Sequence, residues 1–165
     1  MRGMWSMVAV VAMVVVLATY LTWTAGRVDR LHHRAAAAQA ALDTHLIRRA
    51  VAASALAEAV QLPSLELAAR SALDAAPEDR EAAENDLTHQ LRVVISASQG
   101  DVFGEVVDAN RRVALARQLH NDVVRDALAV RRGVTVRGLR LARRYAKPAY
   151  FDIDDPTVEL AVVRL

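Results

Sequence analysis

Five histidines, His32, His33, His45, His89 and His120, are the side chains in this sequence best suited to chemistry, as metal ligands or proton carriers. Asp86 stands three residues before His89, which on a helix places the two on one face. A carboxylate-bridged dimetal centre in a helical bundle needs two Glu-x-x-His units and two further inward glutamates. A single Asp86-x-x-His89 falls short of that set, so no metal and no other cofactor is expected. His120, lying among apolar positions, reads as a core or seam histidine. Nucleophilic catalysis has weaker support. There is no Gly-x-Ser-x-Gly elbow and no phosphate-cradling loop between a strand and a helix. The absence of cysteine removes thiol nucleophiles, thiolate metal sites and disulfides together. The expectation is a non-enzymatic chain with no catalytic residue and no small-molecule substrate.

The strongest charge cluster is Arg131, Arg132, Arg137, Arg140, Arg143, Arg144 and Lys147, a density suited to phosphates of nucleic acid or lipid. The net charge of the whole chain is only +2, so the high isoelectric point reflects arginine rather than a strongly basic surface. Glu66, Asp74, Glu78, Asp79 and Glu81 are expected at the same end of the fold, where they would neutralise the cluster from within. A protein partner, lipid headgroups and nucleic acid are the other readings. No aromatic platform accompanies the arginines, which disfavours single-stranded nucleic acid.

The elements that must position these residues begin with Met4 to Trp23, a run without an ionisable side chain. At about 1.5 Å per residue such a helix reaches roughly 30 Å, the depth of a bilayer's hydrocarbon core. Trp5 at one end, and Tyr20 with Trp23 at the other, fall where aromatic rings favour the headgroup level. A cleaved signal peptide is the rival; its apolar core would be shorter and its leading charge greater than Arg2. Arg27, Arg30 and Arg34 follow the run, so the anchor is expected to span once with its N-terminus outside and the rest cytoplasmic, in a bacterial inner membrane.

Beyond the anchor and its flanks (1–27), residues 28–132 predict a helical bundle, 133–148 a basic helical segment broken at Gly138, and 149–165 an acidic, extended tail. Val28 to Leu62 holds no glycine or proline, so one helix should continue from the membrane to Leu62. Its inward stripe is Val28, Leu31, Ala35, Ala38 and Leu42, continued by His45 or Leu46, then Ala53, Leu56 and Val60. Pro63 closes it, and a short helix follows with Leu65, Leu67, Ala68 and Leu73. Pro77 opens a third helix facing inward through Leu87, Leu91, Val94 and Ile95; Gly100 and Asp101 are candidate caps before a fourth. That fourth helix, about Val102 to Arg132, should bury Val113, His120 and Val123 and expose Arg111 and Arg125. The fold class is thus all-α: a transmembrane helix continuing into an antiparallel, coiled-coil-like bundle. With the second and third helices together forming the return stroke, the fourth would run outward and carry Arg131 far from the bilayer.

Two segments resemble the LemA family of bacterial membrane-anchored helical proteins. One is Ala40-Ala-Leu-Asp-Thr-His-Leu-Ile-Arg-Arg49; the other is Ala116-Arg-Gln-Leu-His-Asn-Asp-Val-Val124, and Tyr150-Phe151 is similar to the aromatic end of that domain. The family's Ile-Pro-Asn-Leu after the arginine pair is missing, and His120 stands where a tyrosine is expected. The resemblance implies a single-pass anchor with a cytoplasmic helical bundle and supplies no catalytic residue.

These readings point to an accessory protein that associates with a larger membrane protein complex and stabilises or assembles it. The alternative is a tethered adaptor taking nucleic acid or anionic lipid on its basic segment. Candidate partner contacts are Arg137, Arg140 and Arg144, together with Val158, Leu160 and Val162 in TVELAVVRL, whose alternation reads as a strand needing a neighbour from another polypeptide.

Overall fold

A computed structural model describes residues 2–97 and 103–154, which are helical apart from turns and an extended end, with no strand among them. The first helix, α1 (Arg2–Ala59), is continuous for 58 residues, roughly 87 Å at the standard rise. It passes through the apolar run and through residue 27 without interruption because no proline enters it and its interior is rich in alanine, leucine and arginine. Four helices follow: α2 (Pro63–Asp74), α3 (Arg80–Ala97), α4 (Gly104–Arg132) and α5 (Val134–Gly138). Pro63 sits at the first position of α2, where its missing N–H has no intrahelical partner to lose.

α1 ends in a paired reversal. Gln61 N donates to Glu58 O at 3.3 Å and Leu62 N to Ala57 O at 2.9 Å, with Gln61 in the left-handed region at φ 55°. The same pattern closes α5, where Arg140 has φ 53°, Arg140 N bonds Arg137 O, and Leu141 N bonds Val136 O. Glycine normally fills that position. Gln61→Gly is therefore expected to raise bundle stability by about 0.5–1 kcal/mol, read as a higher chemical-denaturation midpoint. A lowered midpoint would mean that the Gln61 side-chain bond to Glu58 O, 2.8 Å long, matters more than the strain.

The chain forms two compact units, each built from separate stretches. One comprises, among the described residues, 37–97, 103–122 and 150–154. Its main core joins Ala53 and Leu56 of α1, Leu65, Ala69 and Ala72 of α2, Leu87 and Leu91 of α3, and Phe103, Val106 and Val107 around the start of α4. Alanine makes up much of this core, which lets helices approach closely while each contact buries little apolar area. A second cluster joins Leu42 and Leu46 to Val113, Phe151 and Ile153. Later residues of α4 thus meet earlier residues of α1, so the two helices are antiparallel here.

This direction corrects the expected one. α2 and α3 are joined by a short turn and pack on each other as a hairpin, so α4 is the returning stroke and not an outward one. Most of the expected inward positions are buried, including Leu42, Leu46 and Val113, while Arg111 and Arg125 are exposed. Val123 is only half-buried; its neighbour Val124 takes the fully buried slot, one step of about 100° round the helix. Leu67 is 71% exposed and Val60 38%. α3 begins at Arg80, because Pro77 to Asp79 form a turn.

The other unit comprises residues 2–36 and 123–149 among those described. Val28, Val136 and Ala142 form its small core, flanked by Val130, Leu141 and Tyr145. The side chains of the apolar run are exposed in this structure, as a helix surrounded by lipid would require. The candidate caps Gly100 and Asp101, and the tail positions Val158, Leu160 and Val162, lie outside the described residues.

Candidate functional site

In the unit that carries the apolar run, one turn of α1 gathers the basic segment. The Asp29 carboxylate accepts hydrogen bonds from the Arg144 guanidinium and, at 3.0 Å, from the Tyr145 hydroxyl. Those two bonds, Arg144 first, hold the Asp29 carboxyl below the usual carboxylate range and raise Arg144 in turn. The Tyr145 ring stacks on His32 at 4.5 Å between centroids and 19° between planes. His32 Nδ1 lies 2.8 Å from the Val28 carbonyl, and its Nε2 lies 2.9 Å from Arg131 Nη1. A carbonyl only accepts and a guanidinium only donates, so this pair of bonds fixes the tautomer with its proton on Nδ1. Arg131 also reaches the carbonyls of Tyr145 and Ala146.

Arg131 is therefore beside His32, about 13 Å along α1 from Trp23 at the standard rise, and not far from the apolar run as the sequence suggested. Glu66 is engaged by Ser54 and Arg70, which hold its carboxyl low, and Glu81 accepts from the backbone of Asp152. Of the candidate contacts, Arg144 is tied to Asp29 while Arg137 and Arg140 are exposed. Trp5, Tyr20 and Trp23 are exposed at the two ends of the run, and the Arg27 guanidinium lies over the Trp23 ring at 5.7 Å.

A groove of about 760 Å³ opens in the same unit beside Tyr20, Trp23, Arg27, Arg30 and Arg34. Its far wall is Asp126, Ala129 and Val130 of α4 with Gly133, Thr135 and Val136. Among the described residues, none of the three groove arginines forms an ion pair.

The other unit buries a charge pair. Arg49 and Glu84 are both 0% exposed, with Arg49 Nη1 3.5 Å from Glu84 Oε2. Arg49 Nη2 donates to the Thr88 hydroxyl at 2.6 Å and to the Glu84 carbonyl at 3.2 Å. Neither Glu84 carboxylate oxygen receives a hydrogen bond among the described residues. Burial pushes the Glu84 carboxyl up to about 7 despite the opposing pull of Arg49, and lowers Arg49 as well. Asn110 Oδ1, also buried, lacks a hydrogen-bond partner among the described residues.

Close to the second cluster, residues 150–154 run extended and are fastened by side chains. Asn121 pairs with Phe151 on both sides of its backbone, accepting from its N–H at 2.9 Å and donating to its carbonyl at 3.1 Å. Arg117 donates to the Ile153 carbonyl, Glu81 accepts from Asp152 N, and Asn85 accepts from Asp154 N. An extended segment thus satisfies its backbone without a neighbouring strand.

The histidines are scattered between these features. His32 and His120 are buried, His33 and His89 exposed, with Asp86 exposed as well. Among the described residues no three His, Cys, Asp or Glu side chains converge on a common point. Sequence reasoning missed Glu84, since a glutamate on a helix is ordinarily solvated. Arg49 carried a signal: it falls three residues after Leu46 and four before Ala53, on the buried stripe itself.

The fold defines an all-α protein with, among the described residues, one helix, near the N-terminus, that is long and apolar enough to cross a membrane. The chain matches no protein-family model, no curated protein and no solved structure.

Proposed function

We propose that this is a non-enzymatic single-pass accessory protein, LemA-like in kind, that docks on a larger membrane protein complex and stabilises or assembles it. The observation that carries the reading is apolar surface on the bundle. Leu115 and Leu119, one turn apart on α4, are 67% and 61% exposed, and Ile47 and Val51, one turn apart on α1, are 48% and 54% exposed. Apolar pairs at helical spacing are what a partner helix buries. The arginines following the run favour a cytoplasmic bundle in a bacterial inner membrane. Against the adaptor alternative, two of the seven cations, Arg131 and Arg144, are already engaged by His32 and Asp29, which leaves Arg132, Arg137, Arg140, Arg143 and Lys147 exposed.

The test is affinity purification of the full chain from detergent-solubilised membranes. A stoichiometric membrane protein partner is expected, lost in a Leu115→Asp, Leu119→Asp variant whose helicity is intact. Retention of that partner by the variant would place the contact elsewhere, and recovery of no partner would count against the accessory role. For orientation, a cysteine at Ser71, an exposed position, should resist an impermeant thiol reagent in intact cells. Labelling there would reverse the topology.

A further inference from the structure

We propose that the groove beside the end of the apolar run binds the phosphate of an anionic phospholipid headgroup. Tyr20, Trp23, Arg27, Arg30 and Arg34 are spaced three, four, three and four residues apart, so one face of α1 carries two aromatic rings and then three guanidinium groups. Three cations face a single carboxylate, Asp126, across the groove, and none of the three is consumed in an ion pair among the described residues. The Tyr20 and Thr135 hydroxyls, 3.4 Å apart, add two groups able to donate to phosphate oxygens.

The position selects a lipid over a soluble phosphate. The inference rests on reading residues 4–23 as the span, which sets Tyr20 and Trp23 at the headgroup boundary and the arginines about 6–17 Å beyond Trp23. On the same face, one turn before Tyr20, Val16 and Leu17 are 69% and 55% exposed and continue as a bed for acyl chains. The groove thus offers a cationic end and an apolar end in the order a phospholipid presents them. Planar guanidinium groups match phosphate oxygens two at a time, and a charge-assisted bond contributes about 1.5–3 kcal/mol, roughly tenfold or more in affinity.

The full chain would be reconstituted in nanodiscs of phosphatidylcholine with or without phosphatidylglycerol, and lipids retained after release counted by native mass spectrometry. Phosphatidylglycerol should be retained at least about tenfold over phosphatidylcholine, and Arg30→Gln with Arg34→Gln should remove that preference. Arg137→Gln with Arg140→Gln, the same charge change outside the groove, should leave it intact. Equal loss in that second pair would mean diffuse attraction and overturn the site, as would equal retention of both lipids. Displacement by inorganic phosphate would assign the groove to a soluble phosphate and overturn the lipid. Quenching of tryptophan fluorescence by brominated lipid is read alongside. Its absence would refute the span itself, an outcome separate from a failed groove in an inserted chain.

Discussion

Arg49→Met is expected to destabilise the bundle by about 3–5 kcal/mol near pH 8, and Glu84→Gln to cost less there, although it leaves the buried guanidinium without its counter-charge. The asymmetry follows from Glu84, whose carboxyl is raised from 4.5 to about 7 by burial that outweighs the attraction of Arg49. Removing the arginine leaves a carboxylate with no compensating charge in the core. Removing the carboxylate leaves Arg49 still donating to Thr88 Oγ1 and to the backbone carbonyl of residue 84. Arg49→Met combined with Glu84→Leu should recover most of the loss.

The pH dependence has a definite sign. Between about 4.5 and 7 the folded state holds a proton that the unfolded chain releases, so this group's contribution to stability declines as pH rises through that window and is level above it. Glu84→Gln should abolish the decline. Asp29 and Glu66, both depressed, act the other way and only lower down, losing their contribution as pH falls through the carboxylate range. Chemical denaturation of the detergent-solubilised chain at about pH 5 and pH 8 reads the Glu84 effect, and a further point at about pH 3 reads the opposite one. If Glu84→Gln costs as much as Arg49→Met, attraction within the pair exceeds the cost of its burial.

Phe151→Ala is the second large effect, about 3–5 kcal/mol, although the residue lies in no helix or strand. Phe151 and Ile153 are 7% and 3% exposed and complete the cluster of Leu42, Leu46 and Val113. Asn121→Leu should approach the same loss by another route, since it strips the partners from the N–H and the carbonyl of Phe151 at once. A melting temperature unchanged in both variants would show that residues 150–154 are ornamental to the bundle.

The legible part of the fold was its periodic part. Val28, Leu42, Leu46, Leu87, Leu91 and Val113 are buried because a stripe three to four residues apart can face only one way on a helix. The direction of α4 was not legible. It turns on whether α2 and α3 act as one stroke or as a hairpin, and helical spacing alone does not say how sharply the turn after Asp74 reverses the chain. The end of α1 was hidden because Gln61 stands in a conformation that usually advertises itself with glycine. Only the local part of the groove is visible in the sequence: Tyr20, Trp23, Arg27 and Arg30 follow one another on a single helix face. Asp29 with Arg144, and Asn121 with Phe151, are separated by long stretches of chain, and no spacing rule reaches across them.

The lacing of residues 150–154 onto α3 and α4 also sets an order of events in the life of the chain. At the usual 5–20 residues per second, Phe151 is synthesised about 2–8 s after Val113. For that interval the pocket between Leu42, Leu46 and Val113 stands open, and Asn121 and Arg117 hold their polar groups toward water. A protease clipping near Ala149 would yield a product bearing α1 to α5 but lacking this closing wedge. Such a product exposes Leu42 and Leu46, the kind of surface that quality-control proteases read.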